Sequence, residues 1–305
     1  MYKEVSLVCP SCTNFEIRLK QNKFFCKKCN LIYNVKDGFP VLINFKLENV
    51  FIKEEEIKIK KEKINKNKFK EKILDFVYGT SKVTKHNVTK FLDKLNKNNN
   101  KKVLIIGGAT KGSGTDELWD NKDIDITSID IVGTNNINYI ADAHYLPFKN
   151  ETFEAVWIQA VLEHVMSPEI VVKEIFRVLK DGGIVYSETP FMQQIHMGKN
   201  DFTRYTASGH RFLFKNFEKI KVGINGGPGT ALAWSIKYFI WSLSNERIAS
   251  YLSIIPFFIL RFFDKFLSEK KSWDSSSGFY FLGQKNANYK FYKEELDQLY
   301  KGNQI

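Results

Sequence analysis

Residues 103–119 read VLIIGGATKGSGTDELW: an apolar run, a glycine-rich turn and the opening of a helix. A strand that ends in glycines before a helix offers bare backbone to a bound molecule, a common seat for a nucleotide-like cofactor. Three ligand classes can be tested on the spacing. A dinucleotide turn needs GxGxxG, whose third glycine lets helix and strand approach. Here the order is Gly107, Gly108, Gly112, Gly114, and Glu117 stands at the later position, so that pattern fails. A triphosphate loop needs GxxxxGK[ST]. From Gly107 the spacing reaches Gly112, but Ser113 replaces the lysine that would sit between phosphates. What remains is a cofactor without pyrophosphate or triphosphate. S-adenosylmethionine is one, and its methionine part can lie against such a turn.

The downstream residues agree. SIDI puts Asp130, followed by Ile131, at the end of a second strand, where a carboxylate can take both ribose hydroxyls. YIADAHYLPF puts Asp142 at the end of a third, where a short polar group can meet the adenine amino group and Ala143 leaves room for the ring. FEAVWIQ ends on Gln159, facing the reaction side. Each carboxylate alone reads equally well as a strand-end cap, so the set carries the cofactor reading. Over 101–222 strands alternate with helices, one of them opened by Ser167 and Pro168. Such alternation predicts an α/β fold, a parallel sheet with helices on both faces.

All four cysteines precede residue 30. Cys9-Pro-Ser-Cys12 and Cys26-Lys-Lys-Cys29 stand 13 residues apart, with short strand-like runs around them. Two CxxC turns aim four thiolates at one point, a closed tetrahedral site that suits structural Zn²⁺. A redox dithiol is the competing reading, and ligand count and spacing favour zinc. A unit as small as residues 1–45 needs such a staple. Its tail, LIYNVKDGFPVLI, resembles the end of small zinc-binding Trm112-like modules, which in bacteria often stand beside methyltransferases.

The whole chain bounds the rest. Its 305 residues hold one full α/β domain plus smaller attachments, and 43% hydrophobic content excludes disorder throughout. A formal charge of +12 admits an anionic partner: nucleic acid, a membrane face or an acidic glycan. Much of that charge is lysine in a chain rich in Asn and Ile, as an AT-rich genome would produce, so it decides little. The start lacks a signal-peptide core, and no long uncharged apolar run occurs, so the expected compartment is the cytoplasm. Residues 46–100 are lysine-rich, with Ile57, Ile64, Phe69, Ile73, Phe76 and Val77 at loose helical spacing, and read as a helical linker. Residues 223–277 turn aromatic, and 278–305 hold a last strand, GFYFLGQK, and a polar tail.

GGATKGSGT, SIDI, ADAHYLPF, WIQAVLEHV, EIFRVLKDGGIVYSETPF and DFTRYT, taken together, resemble class I S-adenosylmethionine-dependent methyltransferases, and among them the type 11 group often found in bacterial surface-polysaccharide and glycolipid gene clusters. The resemblance covers about residues 100–222 and the last strand. It implies a Rossmann-like seven-stranded sheet over a core of 101–222, with the zinc ribbon ahead of it and a helical insertion before the last strand. It also implies that Gly107, Gly108, Gly112 and Gly114 line the cofactor, that Asp130 and Ile131 hold the ribose, and that Asp142 and Ala143 hold the adenine. One departure is Ile105, where many relatives carry an acid; the methionine amino group then needs loop carbonyls or Gln159.

Methyl transfer is an in-line displacement, so positioning supplies much of the rate, and a hydroxyl acceptor must also lose a proton. His164 follows the fourth strand. His196 and Asp201 follow the fifth, in HMGKNDFTRYT, with Arg204 and Tyr205. His196 is the expected base, with Asp201 orienting or replacing it and His164 a further acceptor-side candidate; loop bracing is the plain alternative. His144 is assigned to the adenine pocket and His210 to a helix surface. The aromatic stretch 230–268 reads as a lid, a homodimer surface or a pair of interfacial helices peripheral to the inner membrane face. The expected activity is methylation of a small molecule, sugar or lipid-linked glycan. An RNA or protein methyltransferase and a non-catalytic binding protein are the rivals, with nucleic acid ranked below because WIQAVLEH lacks an NPPY-like tetrad.

Overall fold

The computed structural model describes residues 5–13, 16–60, 81–95 and 101–304. The helical spacing expected over 64–77 lies outside them. The chain opens with a small antiparallel sheet of β1 (Arg18–Lys20), β2 (Lys23–Cys26), β3 (Leu31–Lys36) and β4 (Phe39–Pro40). Seven further strands follow: β5 (Lys102–Ile106), β6 (Asp125–Asp130), β7 (Tyr139–Ile140), β8 (Phe153–Gln159), β9 (Leu179–Pro190), β10 (Phe217–Gly226) and β11 (Gly278–Lys285). They form one sheet in the order β10-β11-β9-β8-β5-β6-β7. This is the Rossmann-like seven-stranded architecture that the family resemblance implied, with the cysteine-bearing sheet ahead of it.

Strands buried on both faces need cover on both. Val103 and Ile105 of β5 pack in one core cluster with Phe91, Leu92 and Trp157. Their neighbours Leu104 and Ile106 pack in the other, with Val171, Ile175 and Val178. The helix Lys82–Leu95 buries Val88, Phe91, Leu92 and Leu95 at helical spacing and covers the first face. The helix Pro168–Val178, started by a proline that needs no N–H partner there, covers the second.

Parallel pairing holds from β7 through β9, but β11 runs antiparallel to both β9 and β10. The connection from β10 to β11 returns to the end it leaves, which makes neighbouring strands antiparallel. Gly226, at the end of β10, pairs with Gly278, at the start of β11. Four helices between them, Pro228–Leu243, Glu246–Leu252, Ile254–Phe263 and Glu269–Ser272, leave from and return to the same end of the sheet. That end holds the carboxyl termini of β5, β6, β8 and β9. No helix among the described residues is long and apolar enough to cross a membrane.

Edge strand β7 is two residues long, and the chain leaving the first sheet covers it. Val41 bridges Ile140 in parallel, and Leu42 N–H donates to the Ile140 carbonyl at 2.8 Å. Farther on, Lys60 N–H donates to the Gly133 carbonyl and Gly133 N–H to that of Lys58. Residues 46–60 are not helical as expected: turns at 46–49 and one 3-10 turn at Glu54–Glu56 are joined by irregular chain. The first sheet also shares its core with the large one: Val5, Leu7, Phe24 and Tyr33 belong to the cluster that holds Tyr139 and Phe148.

His210 differs from its expected place. It lies in the helix Ala207–Leu213 but is buried, not on a surface, because that helix turns it onto Phe214 and Phe281 and within 2.9 Å of the Ser187 hydroxyl. Burial lowers its pKa from 6.5 to about 3. The folded chain therefore binds fewer protons than the unfolded chain between these values. Stability is full above pH 6.5 and is lost as pH falls toward about 3, by up to about 1.4 kcal/mol per pH unit. His210→Gln should flatten the fall in melting temperature measured between those limits.

Candidate active site

The turn after β5 is built on absent side chains. Gly107 has φ of +82°, and a Cβ there would stand 2.2 Å from Val161 Cγ2. A Cβ on Gly108 would stand 1.9 Å from Ser128 Oγ, and one on Gly112 2.1 Å from Gln159 Oε1. Gly114 (φ +86°) backs onto the Ser81 carbonyl. The N–H groups of Gly107 and Gly108 both reach the Ile129 carbonyl at 3.0 Å, which ties the turn to the end of β6. There Asp130 accepts from Ala109 N–H at 3.0 Å and Val132 N–H at 2.9 Å. Burial raises its pKa against the pull of those two N–H groups. The two bonds leave lone pairs on both oxygens for a further donor.

Asp142 and His144 form a buried pair after β7. Asp142 Oδ1 accepts from His144 N–H at 2.8 Å and Nδ1 at 2.6 Å. His144 Nε2 accepts from Ser167 N–H at 3.2 Å, so the proton sits on Nδ1. Ala143 between them is buried.

Gln159 joins this side of the site to the next. Its Nε2 donates to Glu188 Oε2 at 2.9 Å and reaches the Ser113 carbonyl at 3.5 Å, while its Oε1 lies over Gly112 and accepts from Trp157 Nε1. Glu188, fully buried near the end of β9, also accepts from Thr84 Oγ1, the Tyr186 hydroxyl and Asn225 Nδ2. Burial raises its pKa and these donors oppose the rise. GIVYSETP reads only as a strand, so Glu188 escaped the sequence reading. A lone acid near the carboxyl end of an apolar strand was the available signal.

Beside Glu188 opens a cavity of about 170 Å³, lined among others by Glu163, Thr189, Gln193, His196, Asn225 and Ser277. The structure brings the three expected acceptor-side residues together here. His164 Nε2 is 3.1 Å from His196 Nε2. Asp201 Oδ2 accepts from His196 N–H at 3.0 Å and lies 3.5 Å from its Nδ1. Burial pushes Asp201 up, but the bidentate Arg204 guanidinium and the His196 N–H outweigh it and hold its pKa at about 2. Glu163, which sequence reading passed over inside LEHV, is fully buried on the cavity wall, and burial raises its pKa to about 7.

The helical insertion touches the same loop. The Tyr238 hydroxyl donates to the Ile195 carbonyl at 2.6 Å and Gln194 Nε2 to Ser235 Oγ at 3.0 Å. Its outer face is apolar and open: Phe239, Tyr251, Ile255, Phe263 and Phe266 are all more than half exposed. At the far end of the chain, the four cysteine sulfurs lie within 4.8 Å of one another, with Cys12 and Cys26 at 3.7 Å. A tetrahedral ion about 2.3 Å from each thiolate spaces the sulfurs by about 3.8 Å, so the cluster fits zinc. The Tyr33 hydroxyl supports Cys9 Sγ at 3.1 Å.

Comparison with known proteins agrees with this arrangement. Residues 107–187 match the family model Methyltransf_11, described as a methyltransferase domain. These residues, from the glycine turn into β9, form a methyltransferase domain of the S-adenosylmethionine-dependent type. Among solved structures, the MccD protein is 16% identical over 66% of this chain and 96% of its own, with a TM-score of 0.43. Haemonchus contortus phosphoethanolamine N-methyltransferase 2, solved with S-adenosyl-L-methionine, is 13% identical over 70% of this chain and 56% of its own, also at 0.43. A chain from the complex of the Haloferax volcanii Trm112 methyltransferase activator with a methyltransferase is 16% identical over 67% and 90%, at 0.42. No curated protein matches the chain.

Two substitutions separate strain from network loss. Gly107→Ala adds left-handed strain and a clash, about 1–3 kcal/mol. Glu188→Gln turns an acceptor of four donors into a partial donor inside the core and should cost about 2–4 kcal/mol, or roughly 3–6 °C in melting temperature. Calorimetric melting of both variants checks the order.

Proposed function

We propose that this enzyme methylates a hydroxyl of a small polar acceptor, a sugar or lipid-linked glycan of surface-polysaccharide synthesis. The observation that carries this reading is the shared wall: Gln159 lies against the glycine turn on one side and is bonded to Glu188 at the acceptor cavity on the other. Gly107, Gly108, Gly112 and Gly114 would receive the methionine part and Gln159 its amino group. Asp130 with Ile131 would take the ribose, and Asp142 with Ala143 the adenine. S-adenosylmethionine held there supplies a methyl group already activated on a sulfonium. The protein positions the acceptor and activates its oxygen, and His196, backed by Asp201 and adjoining His164, is the activating group. The cavity lining is rich in carboxylate, amide and hydroxyl groups, which suits a hydroxylated acceptor more than a planar base.

The exposed aromatic face, joined to the acceptor loop through Tyr238, suits a peripheral position on a membrane where a lipid-linked acceptor would be presented. The first sheet acts as a Trm112-like zinc ribbon carried in the same chain, its metal structural because four thiolates close the coordination shell.

Two measurements test these readings. Labelled methyl from S-adenosylmethionine should enter lipid-extractable or soluble glycan of the source cell. Label found only in RNA or protein would exclude the acceptor class, and no calorimetric binding of the cofactor would exclude the cofactor pocket. Separately, Cys26→Ser should remove one zinc equivalent by elemental analysis and lower the melting temperature, because the ribbon shares its core with the sheet.

A further inference from the structure

We propose that Glu163, His164 and His196 form a divalent-metal site on the wall of the acceptor cavity. This rests on the acceptor-pocket reading above and deepens it. His164 Nδ1 lies 2.8 Å from the Asn200 carbonyl oxygen, which can only accept, so Nδ1 carries the hydrogen and Nε2 is bare. His196 Nδ1 faces the Gln194 carbonyl at 3.3 Å and Asp201 Oδ2 at 3.5 Å, again acceptors, so in the neutral ring its Nε2 is bare too. The two bare nitrogens nonetheless meet at 3.1 Å.

Glu163 completes the ring of lone pairs. Its Oε1 stands 3.6 Å from His164 Nε2 and 4.0 Å from His196 Nε2. The residue is fully buried, and neither carboxylate oxygen has a hydrogen-bond partner among the described residues. Buried carboxylates are ordinarily paired, hydrogen-bonded or bound to metal. Three electron-rich atoms facing one point repel unless a cation lies between them.

The distances fit that cation. The circle through three atoms 3.1, 3.6 and 4.0 Å apart has a radius of about 2.1 Å. Zinc bonds to imidazole nitrogen and carboxylate oxygen are roughly 2.0–2.2 Å long. The outer nitrogen of each imidazole is held by an oxygen, the arrangement that orients histidine ligands. Two imidazoles and one carboxylate suit Zn²⁺ or a neighbouring transition ion such as Mn²⁺ or Fe²⁺, and three protein ligands leave coordination positions open. Glu163 and His196 both line the cavity, so those positions face it. An acceptor oxygen bound there would lose its proton more readily. His164 and His196 would then activate the acceptor as ligands and not as a free base. The four-cysteine cluster is a separate, closed site in the first sheet.

The test uses the full chain carrying its ribbon zinc, titrated with zinc chloride and with manganese chloride in a calorimeter. One further equivalent of at least one ion should bind. Glu163→Gln, and separately His196→Ala, should weaken that binding at least tenfold while the cysteine-bound zinc remains. His196 is partly exposed, so its variant keeps the test usable where Glu163→Gln fails to fold. Absence of a further equivalent in the wild type, or its full retention in a folded variant, overturns the site, the imidazoles then sharing a proton. S-adenosylmethionine is titrated on the same samples. Cofactor binding without metal binding overturns the metal site alone, and metal binding without cofactor binding overturns the cofactor pocket alone.

Discussion

One buried carboxylate holds the reaction end of the sheet together. Glu188 accepts hydrogen bonds from Thr84 on the helix Lys82–Leu95, Gln159 on β8, Tyr186 on its own strand and Asn225 on β10. A carboxylate out of water is tolerable only when such donors surround it, so the elements that bring them have little freedom to shift separately. Gln159 inherits that constraint. With its amide held from behind, its oxygen lies where a side chain on Gly112 would have to be. The glycine turn and the cavity beside Glu188 therefore stand in a set relation, which the in-line methyl transfer proposed above requires.

The opposite edge of the sheet depends on the first 60 residues. β7 is too short to guard its own edge; Val41 and Leu42 pair along it, and residues 58–60 pair beyond it at Gly133. The same segment reaches the loop after β7: Asn49 Nδ2 donates to the Tyr145 hydroxyl, and its oxygen accepts from Ser167 Oγ. The small cysteine sheet thus braces the side of the site where Asp142 and His144 pair. A metal held by the four cysteines would steady the large domain as well, because the two share one apolar cluster.

Much of this was legible in the residue order. Strands such as KVLII and FEAVWIQ are apolar on both faces, and only a sheet covered on both sides satisfies them. The glycines, Asp130, Asp142 and the CxxC pairs announce themselves because local backbone geometry restricts which residue types can serve there. His210 misled for a related reason. A polar residue in a short helix reads as exposed unless the packing partners Phe214 and Phe281 are known. Glu163 gave no local sign and Glu188 only that of a lone acid in an apolar strand, since their importance comes from donors, or the lack of them, contributed by distant segments.

Local rules act over a few residues, and what they determine is what the sequence by itself could determine: strand, turn, helix and the two-turn thiolate cluster. The antiparallel run of β11, the outward apolar face of the insertion and the meeting of His164 with His196 across 32 residues of chain were decided only by tertiary structure. Each depends on which chain ends the sheet brings to one side, and a strand order that places β11 between β9 and β10 is a property of the packed whole.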